Sequence, residues 1–196
     1  MRLKKNKIYD VAINDYEGSM KENGKDIKSY QVWKDLIKRC YDPKYHEKFP
    51  TYKHCEVCDE WLYFSNFKKW FDDNYRWDLR NQGIRMELDK DLLSDDVKIY
   101  SPSSCVFLPN NVNTFIVKKN SNNTSGYRGV TWSKQKKKWV AGIIDFNTKK
   151  RKNLGLFEDI VEASNAYALA RQQEVEKVKA YMKSLGYSDD IIDRIE

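Results

Sequence analysis

Residues 126–170 read GYRGVTWSKQKKKWVAGIIDFNTKKRKNLGLFEDIVEASNAYALA. Three stretches, 127–133, 138–146 and 150–157, alternate in the way β-strands do. Asp159 followed by Glu162 forms a capping-box pattern that opens a helix. That helix places Ile160, Ala163, Tyr167, Ala170, Val178, Tyr181 and Leu185 on one stripe. Gly186 marks its stop, and Ser188 is placed to cap a last short helix. The first 32 of these residues hold nine Lys or Arg against one acid, Asp145, so their net charge of +8 exceeds the +7 of the whole chain. A small sheet carrying cations and aromatics suits a polyanion, and nucleic acid is the first partner to consider.

A polar stretch, KKNSNNTS at 118–125, separates this half from an unlike one. The division expected is 1–117, a linker at 118–125, and 126–196. In the first half, residues 8–13 read as a strand or hairpin and 16–25 as a polar, Gly-containing turn. A helix follows Ser29 to about Cys40, with Val32, Trp33, Leu36 and Ile37 on one face, and Asp42-Pro43 stops it. Then come the knuckle TYKHCEVCDEW, an aromatic helix at 64–71, a strand at 84–88 and a polar loop. Ser101-Pro102 begins a helical or turn segment with Cys105, Phe107 and Leu108 apolar and Asn113 near its end. The fold class expected is α+β.

The 196 residues suffice for one large or two small domains. A hydrophobic fraction of 40% with 14% aromatics excludes general disorder and lets small cores be filled. No apolar run approaches the roughly 20 residues of a membrane span. The start, MRLKKNKIYDVAIND, is basic but lacks the apolar core of a signal peptide. A cytoplasmic compartment with reduced thiols is expected, with no membrane partner.

On a strand, alternate residues share a face, so Tyr127, Gly129, Thr131 and Ser133 oppose Arg128, Val130 and Trp132. The helix covers one face and leaves the other for DNA, whose major groove admits a sheet. The pattern YRGV, KW-x-A-x-I, LG-x-F and EA-x-x-AY-x-x-A resembles the plant Apetala/ethylene-response-factor DNA-binding domain over 125–172. The resemblance implies a three-stranded antiparallel sheet packed on one long helix and laid in the major groove of double-stranded DNA. Carried over by position, the contacting residues fall on Arg128, Thr131, Ser133, Ile144, Arg151 and Asn153. Thr, Ser, Ile and Asn stand where plant members carry Arg or Trp, so base preference is expected to differ. Lys134, Lys136, Lys137, Lys149, Lys150 and Lys152 would contact phosphates. Lys138 completes the run Lys136 to Lys138, which reads equally as a solvated turn. Trp139 reads as core, whereas Trp132 stays open between core and DNA contact.

The first half, with RCYDPKYHEKFPTYKHCEVCDEWLYFSNFKKWF, LDKDLL and YSPSSCVFLPNNVN, resembles small phage HNH-type endonucleases from about Asn14 to Asn113. Many of those carry an Apetala-type tail. The resemblance implies a ββα-metal domain that hydrolyses a phosphodiester, with a divalent cation held by an Asp and an Asn or His. Asp89 and Asn113 match the ligand positions, with oxygen donors suited to magnesium or manganese. Lys90 stands where these enzymes usually carry His. An unperturbed lysine, with a pKa of about 10.4, is protonated at neutral pH and accepts no proton. Lys90 would then neutralise phosphate charge, leaving Asp91 or a hydroxide on the metal as base. In the phage group Asp-Lys-Asp is the usual form. Ser104 falls where the middle Asn often lies. Asp89 and Asp91 read alternatively as an exposed strand-end pair.

Cys55-Glu-Val-Cys58 is half of a zinc knuckle. Cys40, ending one helix, and Cys105, starting a later segment, are expected to complete a structural tetrathiolate; the alternative is four small buried hydrophobes. Trp61, Phe64, Phe67, Trp70 and Phe71 stand at helical spacing and read as core rather than as a base-stacking platform. His46 and His54 read as surface residues. The leading expectation is a metal-dependent DNA endonuclease, homing-like by its resemblance, whose C-terminal sheet finds the site. The alternative is a degenerate HNH scaffold acting as a DNA-binding regulator, or through a protein partner as an inhibitor of host defence. A bare transcription factor fits poorly with the large first half.

Overall fold

The computed structural model describes residues 7–94, 98–116 and 123–196. The basic start, part of the polar loop (95–97) and most of the stretch 118–125 (118–122) therefore lie outside the described residues. The chain divides into two compact units, Met1–Leu108 and Pro109–Glu196, and the fold is α+β with small sheets.

In the first unit, β1 (Lys7–Ile8) and β2 (Ala12–Ile13) form one minimal antiparallel hairpin. β3 (Lys21–Glu22) and β4 (Lys25–Asp26) form a second where the sequence suggested only a turn. Asn23 and Gly24 join them, both at positive φ (50° and 75°), as a tight two-residue hairpin requires. α1 (Lys28–Tyr41) and α2 (Pro43–Lys48) meet at Asp42, whose side chain accepts the Lys44 N–H and restarts the helix after Pro43. β5 (Glu56–Val57), α3 (Phe64–Asn74), α4 (Trp77–Asn81), β6 (Met86–Asp89), β7 (Ile99–Tyr100) and β8 (Val106–Pro109) follow. β5 pairs parallel with β7, and β6 pairs with β8. The segment after Ser101, read as helix or turn, is a turn leading into strand β8.

The core of this unit lies between α1 and α3. Trp33, Leu36 and Ile37 from one helix bury against Phe64, Phe67 and Phe71 from the other. The Trp33 indole donates to the Trp61 carbonyl at 2.6 Å, satisfying the one polar atom such a ring buries. Phe107 of β8 stands 5.4 Å from Trp70 and Phe71 between ring centres, and so ties the β6–β8 pair to the aromatic core. Asp15 caps α3 from a distance, accepting from Ser65 N–H at 2.9 Å and Ser65 Oγ at 2.6 Å.

The second unit begins with α5 (Asn110–Ile116). The sequence boundary at 117 is thus corrected, because side chains of the later half hold this helix. Arg128 and Arg171 both donate to the Phe115 carbonyl, at 3.0 and 3.2 Å, and the Arg171 guanidinium lies 3.6 Å from the Phe115 ring centre. Two cations at a helix C-terminus suit its partial negative charge. Burial, with Arg128 beside it, brings the Arg171 pKa down to about 10. β9 (Val130–Ser133), β10 (Lys138–Ile144) and β11 (Arg151–Phe157) form an antiparallel sheet in the order β11-β10-β9. α6 (Ile160–Ser184) packs across it, capped by Asp159, which accepts from Val161 and Glu162 N–H at 2.7 and 3.0 Å. α7 (Asp189–Ile192) returns against α6 and helps bury Val178, Met182 and Ile195.

Val130, Ala141 and Ala163 are the fully buried contact between sheet and helix, with Trp139, Leu154, Phe157 and Ile160 around them. Farther along α6, buried Glu174 accepts the Phe146 N–H at 2.7 Å, and Lys177 bridges Glu174 and Asp145 at 2.7 Å each. The backbone at Gly129 has φ of 72°, and a Cβ there would stand 2.1 Å from the Tyr167 ring. Gly129→Ala therefore meets both a left-handed backbone, worth roughly 1–3 kcal/mol, and a collision. The expected result is a clearly lowered melting temperature for the variant by circular dichroism; a melt matching the unsubstituted protein would contradict this packing.

Candidate functional site

Cross-strand register assigns the two faces of the sheet in the second unit. Trp139, Ala141 and Ile143 pair with residues that turn toward α6. The opposite face presents Lys138 beside Ser133, Val140 between Thr131 and Leu156, Gly142 beside Asn153, and Ile144 beside Arg151. One register shift, between Ala141 and Gly142, sets this phase. It lets Leu154 join the core while Leu156 stands outward, 40% exposed.

Of the residues expected to touch DNA, Thr131, Ser133, Lys138, Arg151 and Asn153 share the uncovered face, as does Ile144. Lys134 and Lys136 occupy the turn between β9 and β10, and Lys150 immediately precedes β11. Lys138 Nζ is paired with Glu158 at 2.8 Å. Three residues stand elsewhere, and one of them, Lys152, pairs with buried Ile143 on the helix side. Arg128 precedes β9 and spends its guanidinium on the Phe115 carbonyl. Trp132 pairs with Trp139 on the helix side, its ring edge-on at 5.0 Å, although it remains exposed. Sequence alternation missed Val140, Gly142 and Leu156 on the open face; only the register shift reveals the last.

In the first unit, Asp89 ends β6 and is buried. Its Oδ1 accepts the N–H groups of Asp91 and Leu92 at 3.0 and 2.8 Å, while among the described residues Oδ2 accepts none. Burial raises the Asp89 carboxyl above the usual range, opposed by the Leu92 N–H. Lys90, also buried along its stem, forms an ion pair with the exposed Asp91 carboxylate, and its Nζ lies 5.8 Å from the Tyr100 ring centre. Desolvation would lower the Lys90 ammonium, but the Asp91 hydrogen bond and charge hold it above the usual lysine value. Lys90 is thus a fixed cation. Asp89 and Asp91 differ in burial and are not a matched exposed pair. Arg39, on the last turn of α1, brings a second cation to the Tyr100 hydroxyl, a neighbour that no sequence pattern flagged.

Asn113 stands on α5 in the second unit, whereas Asp89 belongs to the first. Ser104 is buried and pins the turn after β7: its hydroxyl donates to the Ile99 carbonyl at 2.7 Å and accepts the Ser101 N–H at 3.0 Å. The four cysteines surround the β5–β7 pair. Cys55 and Cys58 flank β5, Cys105 follows the Ser104 turn, and Cys40 lies on the α1 face packed against β5. Burial pushes the Cys40 and Cys105 thiols up to about 12 and raises those of Cys55 and Cys58. Among the described residues, no three His, Cys, Asp or Glu side chains stand together as a ready metal set. His54 is exposed, and the His46 ring meets the Arg39 carbonyl at 2.9 Å. No helix among the described residues is long and apolar enough to cross a membrane.

No protein-family model, curated protein or solved structure matches this chain.

The raised pKa gives Asp89 a sign. Above that pKa the fold holds a charge it disfavours, and the cost vanishes once both folded and unfolded forms are protonated, below about pH 4. Asp89→Asn keeps an oxygen for the two N–H groups and removes the charge. At pH 7 the variant is expected to melt no lower than the unsubstituted protein, with any gain disappearing toward pH 4. A marked loss of stability at pH 7 would show that the carboxylate is held for the fold.

Proposed function

We propose that this chain binds double-stranded DNA through the open face of β9–β11 and hydrolyses a phosphodiester with the Asp89 segment. The observation that supports the first part most is the face itself. One helix covers one side, and the other side carries Arg151, Lys138, Thr131, Ser133 and Asn153, with Lys134, Lys136, Lys137, Lys149 and Lys150 in or beside its turns. A sheet of this width enters the major groove. Lys134, Lys136 and Lys150 would grip phosphates and supply affinity with little sequence choice.

For the second part, chain order gives two paired strands followed by a helix, β6–β8–α5, as in the ββα unit that the HNH resemblance implies. Asp89 offers one carboxylate oxygen already fixed and one left to a ligand. Carboxylate oxygen is a hard donor of the kind magnesium or manganese takes. Such a cation, when bound, would offset charge on the phosphate and the leaving oxygen. Lys90 adds a permanent positive charge for the same phosphate. Asp91, in solvent beside it, is the chain's own group for accepting the proton of the attacking water.

The Lys90–Asp91 pair also favours a second reading. It leaves no neutral imidazole at this turn, as a scaffold that binds DNA without cutting it would. Supercoiled plasmid with magnesium or manganese separates the two. Nicked circles that disappear in Asp89→Ala are the expected result. An uncut plasmid, with tight salt-sensitive binding intact, would leave the chain a binding protein.

The four cysteines belong to the same proposal as a structural zinc site. Cys40, Cys55, Cys58 and Cys105 are four soft donors on elements near the two-residue β5–β7 pair. About one zinc per chain by elemental analysis is expected, with chelation lowering the melting temperature. Substoichiometric zinc in protein purified without chelator would leave four buried thiols.

A further inference from the structure

Ile144 is 60% exposed at the end of the central strand, and its direct cross-strand partner is Arg151. Isolated exposed hydrophobics are ordinary on protein surfaces. This one is distinguished by what stands beside it. A Cβ on Gly142 would lie 2.9 Å from Arg151 Nε and 3.2 Å from Nη2. The guanidinium therefore lies over a strand position from which a side chain is missing. Among the described residues no carboxylate pairs with it. The sheet thus presents a planar fork and a branched methyl group side by side, on one row, with a floor of bare backbone under the fork.

In the major groove only guanine offers two adjacent acceptors to such a fork, and only thymine offers a methyl group. Cross-strand partners have Cβ atoms about 5 Å apart, a spacing that spans neighbouring base pairs stacked about 3.4 Å apart. We propose that Ile144 and Arg151 read one base step in which a thymine lies beside a guanine, Ile144 on the thymine methyl and Arg151 on the guanine edge, with Gly142 as the positioning residue that leaves room for the fork. The proposal rests on the sheet's reading DNA bases and adds which bases it reads.

The test selects duplexes from a random DNA library with the full chain, then replaces each thymine of the enriched site by deoxyuridine, which removes only the methyl group. One thymine, next to a required guanine, should lose roughly 4-fold in affinity on replacement. Ile144→Ala should bind the thymine and deoxyuridine duplexes equally, while Arg151→Ala should lose roughly 5- to 150-fold of its preference for the guanine. Gly142→Ala should weaken the guanine preference and keep the methyl effect. Its melt should fall only modestly, because the added carbon displaces the far end of a flexible side chain but also stands 3.3 Å from the Lys152 carbonyl oxygen. Circular dichroism confirms that each variant is folded. An enriched site at which deoxyuridine is silent everywhere, or an Ile144→Ala protein that still senses the methyl, would overturn the assignment and leave DNA reading intact. A library that yields no enriched sequence would overturn base reading by the sheet and this assignment with it.

Discussion

The close approach of α6 to the sheet is the contact on which the second unit depends. Gly129, Ala141 and Ala163 carry little or no side chain where the helix crosses, and the Tyr167 ring fills the space left over Gly129. Larger residues at these points would lift the helix and open the layer that Trp139, Leu154 and Phe157 close. One helix covers only one face of a sheet. The face with Ile144, Arg151 and Leu156 is therefore left bare by the same packing that makes the unit stable. Exposure of those apolar side chains follows from register, since a strand that buries Ala141 and Ile143 must turn Val140 and Ile144 the other way.

The first unit is organised around a different constraint. Its rings pack as Trp33 on Phe64 and as a run from Phe67 through Phe71 and Tyr75 to Phe107, with centroid spacings of about 4.5 to 6 Å typical of edge and offset contacts. That run braces β8, and β8 braces β6. The turn after β6 consequently hangs on a rigid pair of strands, although most of its own residues have no regular structure. Asp89 is fixed from both sides: its strand is held by the aromatic core, and its Oδ1 is held by two N–H groups. A carboxylate so restrained costs stability unless its charge is used, which is why its burial bears on function.

Sequence periodicity made the second unit legible nearly element by element. The three strands, the Asp159 cap and the Gly186 stop all declare themselves through short-range chemistry. What it missed depends on partners distant in sequence. The register shift opposite Gly142 reverses the phase of β11, so simple alternation would bury Leu156 and expose Phe157. Arg128 sits in a basic motif and looks free for DNA, yet its acceptor is a carbonyl on a helix that composition assigned to the other half. That assignment followed the polar run at 118–125, whereas the boundary is set by Phe115, Phe146 and two arginines meeting across it. In the first half, the aromatic helix was read as core because its spacing allowed one buried face. Asp89, Lys90 and Asp91 were adjacent letters in the sequence; only the fold separates a buried carboxylate from an exposed one.

That separation narrows how the Asp89 turn could work on a phosphate. Proton abstraction from water needs an acceptor, and Lys90 is excluded by its charge. Asp91 presents one oxygen to Lys90 and leaves a carboxylate that is 72% exposed, where water screens its field. Charge neutralisation is better served, because Lys90 is shielded along its stem while its ammonium is fixed at one end of the turn, and Arg39 brings a second cation to the same tyrosine. Cations placed before the substrate arrives need no reorganisation as negative charge builds on a phosphate. Hydrolysis at this turn would therefore draw more on electrostatic stabilisation of the phosphate than on proton transfer. The same two cations without cleavage would serve a protein that only holds DNA. The two readings share their binding physics and differ in the fate of a single proton.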